Sequence, residues 1–81
     1  MNLTSKQKGI QTRQNILNCI IRFIQDNGYS PTVREICELT NLESTSTVYS
    51  HLQRLQSEGF ITMQEYQPRT IRVIGYKFVK E

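Results

Sequence analysis

The stretch PTVREICELTNLESTSTVYSHLQRLQSEG, residues 31–59, decides the fold of this 81-residue chain. It predicts a short helix, a tight turn and a second helix. Thr32 and Glu35 have the spacing of a capping box, and Pro31 disfavours an earlier helical start. Asn41 tolerates the left-handed conformation that a sharp turn between helices requires. Two short helices joined so closely form a helix-turn-helix.

The second helix of this motif has one apolar stripe and one polar face. Val48, Leu52 and Leu55 recur at helical spacing, Ser44 is a candidate N-cap, and Gly59 ends the helix. Hydroxyls and amides dominate elsewhere: Ser46, Ser50, Gln53 and Ser57 point away from the stripe, with Thr47 and Tyr49 on its flanks. Ser and Thr are poor helix formers, so this run costs helix stability. Short hydroxyls suit a helix that lies close against another surface, which favours a recognition face over a merely solvated one.

Upstream, the spacing predicts a regular helix over about residues 12–27 that covers the helix-turn-helix. Its wide apolar face comprises Ile16, Leu17, Ile20, Ile21 and Ile24, with Phe23 beside it. Residues 1–11 are polar and contain Gly9, so we expect a flexible arm or a frayed start there.

Downstream, residues 60–64 and 70–74 are rich in strand formers, and the turn between them contains Pro68. They predict a two-stranded antiparallel hairpin, called the wing below. Arg69 at its tip and Arg72 on its outer face are placed to reach a phosphate backbone. Residues 75–81 either extend the second strand or pack Tyr76 and Phe78 against the body.

Composition indicates one folded domain over residues 1–81, because 37% of the residues are hydrophobic and the net charge is only +3. No apolar run is long enough to span a membrane and no signal peptide is present, so we expect a cytoplasmic, nucleoid-associated protein. Cys19 and Cys37 fit small buried hydrophobes better than a disulfide. His51 is the only histidine and no CxxC pair exists, so neither a metal, a cofactor nor an enzymatic site is expected.

Three segments resemble the N-terminal DNA-binding domain of the LexA repressor, the regulator of the bacterial DNA-damage (SOS) response. They are GYSPTVREI (28–36), STSTVYSHLQRLQSEGFI (44–61) and PRTIRVI (68–74). The resemblance implies a mainly α winged helix-turn-helix, with a three-helix core and a two-stranded β wing. It also implies that the second motif helix enters the major groove of a palindromic operator. The base-contacting positions of that family fall on Ser44, Ser46, Thr47, Tyr49 and Ser50.

Two departures from the family pattern limit what the resemblance implies. One is Asn41, which stands where many members have Gly, and the other is the missing protease domain. The Ser/Thr-rich helix resembles one version found in the family, and it leaves the operator sequence open. No linker, autocleavage site or Ser–Lys dyad of the family's protease domain follows residue 81. The chain is therefore either an excised domain or a small stand-alone regulator, and the composition of its tail favours the second.

The predicted function is sequence-specific binding of double-stranded DNA, with repression as the expected outcome. The candidate phosphate contacts are Lys6, Lys8, Arg13, Arg34, Arg54, Arg69 and Arg72. Arg34 has the alternative of pairing with Glu38 one turn later. We expect a monomer in solution that pairs on DNA. The alternative function is a winged-helix module that binds a protein of the replication or transcription machinery.

Overall fold

The computed structural model describes residues 3–76 as three helices followed by a short hairpin. The helices are α1 (Ser5–Asn27), α2 (Val33–Thr40) and α3 (Thr45–Ser57). Strand β1 (Ile61–Thr62) pairs antiparallel with β2 (Arg72–Val73). The predicted fold class, a three-helix winged helix-turn-helix with a two-stranded antiparallel hairpin, is confirmed.

Helix α1 begins earlier than predicted. Thr4 is its N-cap, and Thr4 and Gln7 form a complete capping box at Oγ–N and Oε–N distances of 3.2 and 2.9 Å. The expectation of a loose arm is therefore wrong for residues 5–11, because this cap offsets the unfavourable helix propensity of Gly9. The predicted end is correct, since Gly28 adopts a φ of 80° directly after Asn27.

The helix-turn-helix forms as its sequence predicts. The Thr32 hydroxyl accepts from the Glu35 amide at 3.1 Å, and the Glu35 carboxylate accepts from the Thr32 amide at 2.9 Å. Asn41 has a φ of 59°, the left-handed conformation expected at the turn. Ser44 then caps α3 by accepting from the Thr47 amide at 3.4 Å.

One hydrophobic core joins the three helices to the wing. Its members are Ile16, Leu17 and Ile20 of α1, Ile36 and Cys37 of α2, Val48, Leu52 and Leu55 of α3, and Ile61 and Ile71 of the hairpin. Leu39, by contrast, is 61% exposed and lies outside the core. The burial of Ile61 and Ile71 fixes the wing against the helices, so the hairpin does not project freely.

The wing has fewer paired residues than the predicted strands. The assigned strands pair Ile61 with Val73 and Thr62 with Arg72, and the Ile74 amide also donates to the Phe60 carbonyl at 2.9 Å. Ile71 is buried and Arg72 exposed, as the alternation predicts. The intervening loop is closed by Thr70, whose hydroxyl accepts from the Gln64 amide at 3.0 Å.

Beyond the hairpin, the Tyr76 hydroxyl lies 3.3 Å from Gln25 Nε2 of α1. This contact favours the second of the two predictions for the tail, namely packing on the body; Phe78 lies outside the described residues.

Both cysteines are free thiols. Cys37 is buried and Cys19 half-buried, and burial raises the pKa of the Cys19 thiol. Within residues 3–76, no group of three or more His, Cys, Asp or Glu side chains is placed to hold a metal ion. No described helix combines the length and the apolar character needed to cross a membrane.

Candidate nucleic-acid interface

A groove of about 770 Å³ separates α3 from the loop between the two strands of the wing (residues 63–71, the wing loop), with the start of α2 at one end. The α2 end contributes residues 31–34, α3 contributes Thr45, Ser46, Tyr49 and Ser50, and the wing contributes residues 63–64 and 66–71. The polar face of α3 and the wing therefore face the same concave surface. A duplex seated there would touch both.

The five predicted base-contacting residues divide into two groups. Ser46, Tyr49 and Ser50 line the groove, with both serines exposed and Tyr49 half-buried. Ser44 and Thr47 are exposed but lie outside the groove, and the Ser44 hydroxyl already caps α3. The helix phase thus presents the side chains one turn apart, 46 and 50, at the centre of the surface.

Tyr49 of α3 lies near two residues of the wing loop, Glu65 and Tyr66. Partial burial raises the pKa of its phenol, and the nearby Glu65 carboxylate and Tyr66 raise it further. The phenol therefore stays protonated at neutral pH and keeps both donor and acceptor capacity. Its position beside Glu65 was not predictable from α3 alone.

Arg34 is the free cation of the groove. It is exposed at the start of α2 and lines the groove, and it forms no ion pair among the described residues. The predicted alternative, a pair with Glu38, is absent from that part of the chain. Its guanidinium is therefore available to a phosphate.

Arg69 also lines the groove, but its guanidinium is already occupied. It donates to both carboxylate oxygens of Glu35, at 2.9 and 3.3 Å, and to the Ser30 carbonyl at 3.0 Å. Arg72 is exposed and lines a second cavity, which Arg69 also lines, but it does not line the groove. The two wing arginines therefore differ in position and in partners.

A further group of basic residues lies where the N-terminal half of α1 meets the end of α3. Arg13 and Arg54 share Glu58, with N–O distances of 3.7 and 3.3 Å, and Lys6 lines the same cavity. Lys8 is exposed on α1. None of these residues lines the groove described above.

His51 belongs to this α1–α3 contact. Its Nδ1 lies 3.5 Å from Arg13 Nη1 and must accept, since a guanidinium has no lone pair to offer. Burial lowers the pKa of the imidazole, and the Arg13 charge lowers it further. The half-buried position agrees with the prediction of a packed imidazole at the edge of the core.

Sequence reasoning did not find the partners of Arg69. The sequence indicates Glu35 only as a capping residue, and Ser30 only as the residue before Pro31. These residues lie more than thirty positions from Arg69, so no local pattern could have linked them.

Comparison with known proteins identifies the family of this winged fold. Residues 1–70 match the model of the LexA DNA binding domain. The chain belongs to this family. It is 42% identical over 73 residues to the LexA repressor of Caldicellulosiruptor saccharolyticus, an alignment that covers 90% of this chain and 36% of that protein.

Other LexA repressors match to a similar degree. That of Ligilactobacillus salivarius is 44% identical over 66 residues, covering 82% of this chain and 32% of the relative. That of Limosilactobacillus reuteri is 45% identical over 58 residues, covering 72% and 28%. The chain therefore spans about a third of the length of these LexA repressors. The predicted resemblance is confirmed.

Proposed function

We propose that this LexA-family domain binds double-stranded DNA sequence-specifically and represses transcription by occupying promoter DNA. One observation carries the proposal: a single groove is lined by the exposed Ser46 and Ser50, by the wing, and by Arg34, which has no ion pair among the described residues. The relatives reported above are all named LexA repressors, which supports the same conclusion.

The residues of the polar helix would read base edges in the major groove. Serine hydroxyls both donate and accept, so Ser46 and Ser50 can match several base edges, while the Thr47 methyl can contact a thymine methyl. Ser44 and Tyr49 complete the proposed set. Because hydroxyls discriminate less than a bidentate arginine, we propose that two copies on a palindromic operator supply the specificity, with the free protein monomeric.

The exposed cations would supply sequence-independent affinity through phosphate contacts. Arg34 is the strongest candidate, because it lines the groove and has no carboxylate partner in the part of the chain that the structure describes. Lys6, Lys8, Arg13, Arg54 and Arg72 complete the set from outside the groove. Arg13 and Arg54 would bind more weakly than free cations, since Glu58 already compensates part of their charge.

Selection of duplexes from a random pool, followed by fluorescence anisotropy on the enriched sequence, tests the proposal. Ser50→Ala should change which duplexes are enriched. Ser57→Ala is the matched control, because its hydroxyl donates to the Arg54 carbonyl at 2.9 Å and lies outside the groove. This control should select the same sequences as the unaltered protein.

Failure of the unaltered protein to enrich any sequence would overturn the proposal. A DNA affinity that is independent of the salt concentration would also overturn the proposal, and it would favour the alternative function, a winged-helix module that binds another protein. Identical changes in the selected sequences for the two serine variants would remove the assigned role of Ser50.

A further inference from the structure

Arg69 joins three separate segments of the molecule. Its guanidinium binds both oxygens of the Glu35 carboxylate at the start of α2 and the Ser30 carbonyl before it. The guanidinium carbon also lies 4.7 Å from the centre of the Tyr29 ring, within the range of a cation–π contact. The Tyr29 ring in turn packs edge-on against Phe23 of α1, with centroids 5.7 Å apart. The tip of the wing is thus tied to α1 and α2 through one side chain.

The backbone at Arg69 indicates that these contacts hold the wing in place. Its φ is 58°, in the left-handed region that a residue with a side chain seldom adopts. Such conformations persist where surrounding contacts determine them. The bidentate pair with Glu35 and the bond to Ser30 are contacts of that kind.

The partner carboxylate is charged and firmly placed. Glu35 accepts a hydrogen bond from the Thr32 amide, and this bond is the main cause of the lowered pKa of the Glu35 carboxyl. Arg69 lowers that pKa further. Glu35 is therefore ionised at neutral pH and held by α2 as well as by Arg69. The Glu35 carboxylate already accepts hydrogen bonds from both Nη atoms of Arg69, so a phosphate could bind this guanidinium in the same way only by displacing Glu35.

We propose that Arg69 is a positioning residue: its pair with Glu35 holds the wing loop at a set distance from α3 and so defines the width of the groove. Arg69 would then contribute to affinity without binding a phosphate. The inference rests on the proposed DNA-binding function and replaces the phosphate role expected of Arg69 from its place at the wing tip.

Glu35→Gln distinguishes positioning from phosphate binding by the sign of its effect. If Arg69 were a phosphate ligand, removing a carboxylate next to it would release the guanidinium and tighten DNA binding. If Arg69 positions the wing, the same change should weaken binding, by about fivefold. Gln is also a favoured capping-box residue, so α2 should keep its start.

Arg69→Gln and the double variant complete a mutant cycle. Each single variant should lose affinity on the enriched duplex, and the double variant should lose little more than either one. The slope of log Kd against log salt should stay unchanged in Arg69→Gln. In the matched control Arg34→Gln it should fall by about 0.9, the value for one phosphate contact. Tighter binding by Glu35→Gln, or a slope loss in Arg69→Gln equal to that of the control, would overturn the inference.

A measurement without DNA separates this inference from the proposed function. Backbone amide relaxation of residues 64–70 in the free protein should show greater mobility in both single variants, while residues 16–20 of α1 stay unchanged. An equally ordered wing in the variants would overturn the positioning role whatever the affinity for DNA. If the unaltered protein does not bind DNA but the wing becomes mobile in the variants, the proposed function is rejected. The inference that Arg69 and Glu35 hold the wing in place is then retained.

Discussion

Replacing Arg34 by Gln should weaken binding to every duplex by the same factor. The side chain is exposed at the end of the groove and, within the described residues, has no carboxylate partner. Its full charge is therefore available to a phosphate, and no internal ion pair is lost when it is removed. Phosphate contacts carry no sequence information, so enriched and unrelated duplexes should be affected alike.

The magnitude follows from counterion release. One phosphate contact contributes about 0.9 to the slope of log affinity against log salt. Between about 50 and 200 mM salt, a fourfold change, the unaltered protein should therefore lose about 3.5-fold more affinity than Arg34→Gln. Arg54→Gln should change the slope less, because Arg54 lies 3.3 Å from Glu58, which already compensates part of its charge.

Anisotropy titrations at four salt concentrations, on the enriched duplex and on a shuffled one, measure both effects. A slope equal to that of the unaltered protein would refute the assignment of Arg34 to a phosphate. So would a loss confined to the enriched sequence, since that result would place Arg34 on a base edge instead. Circular dichroism melting of the variant verifies that the fold is retained.

Three further predictions concern stability. Thr4→Ala should cost about 1 kcal/mol in the first turns of α1, seen as faster amide exchange in residues 5–11 with residues 16–20 unaffected. Asn41→Ala should destabilise by about 1 kcal/mol in chemical denaturation and Asn41→Gly should not, because only Ala is penalised at a φ of 59°. The pKa of His51 is lower in the folded protein than its usual value near 6.5. Stability should therefore be fully present above about pH 6.5 and fall as the pH drops below it, a loss that His51→Gln should remove in melting curves.

Local patterns predicted the elements of the fold because each has its own chemical signal. The capping box at Thr32 and Glu35, the left-handed Asn41 and the apolar stripe of α3 all reflect interactions within a few residues. The start of α1 was missed although the same signal was present, as Thr4 and Gln7 have the spacing of a capping box. The Thr4–Gln7 cap outweighs the unfavourable helix propensity of Gly9.

The site was predictable in part, for a physical reason. Helix phase places Ser46 and Ser50 on the face opposite the core, so their exposure follows from sequence. The direction of the Arg69 and Arg72 side chains depends on how the hairpin packs on the helices, which involves contacts between distant residues. Sequence could show that the wing is basic, but it could not show that Glu35 holds one of its two arginines.

The exposed face of α3 has a consequence for how this family diversifies. Ser46 and Ser50 form no side-chain hydrogen bond within the described residues, whereas Val48, Leu52 and Leu55 of the same helix are buried. Substitutions at positions 46 and 50 should therefore cost little in folding, since most residues have a helix propensity equal to or better than that of serine. If these two side chains read base edges as proposed, such substitutions would exchange one base preference for another. On that proposal, new operators would be accessible to such a domain by single mutational steps, without an intermediate that fails to fold.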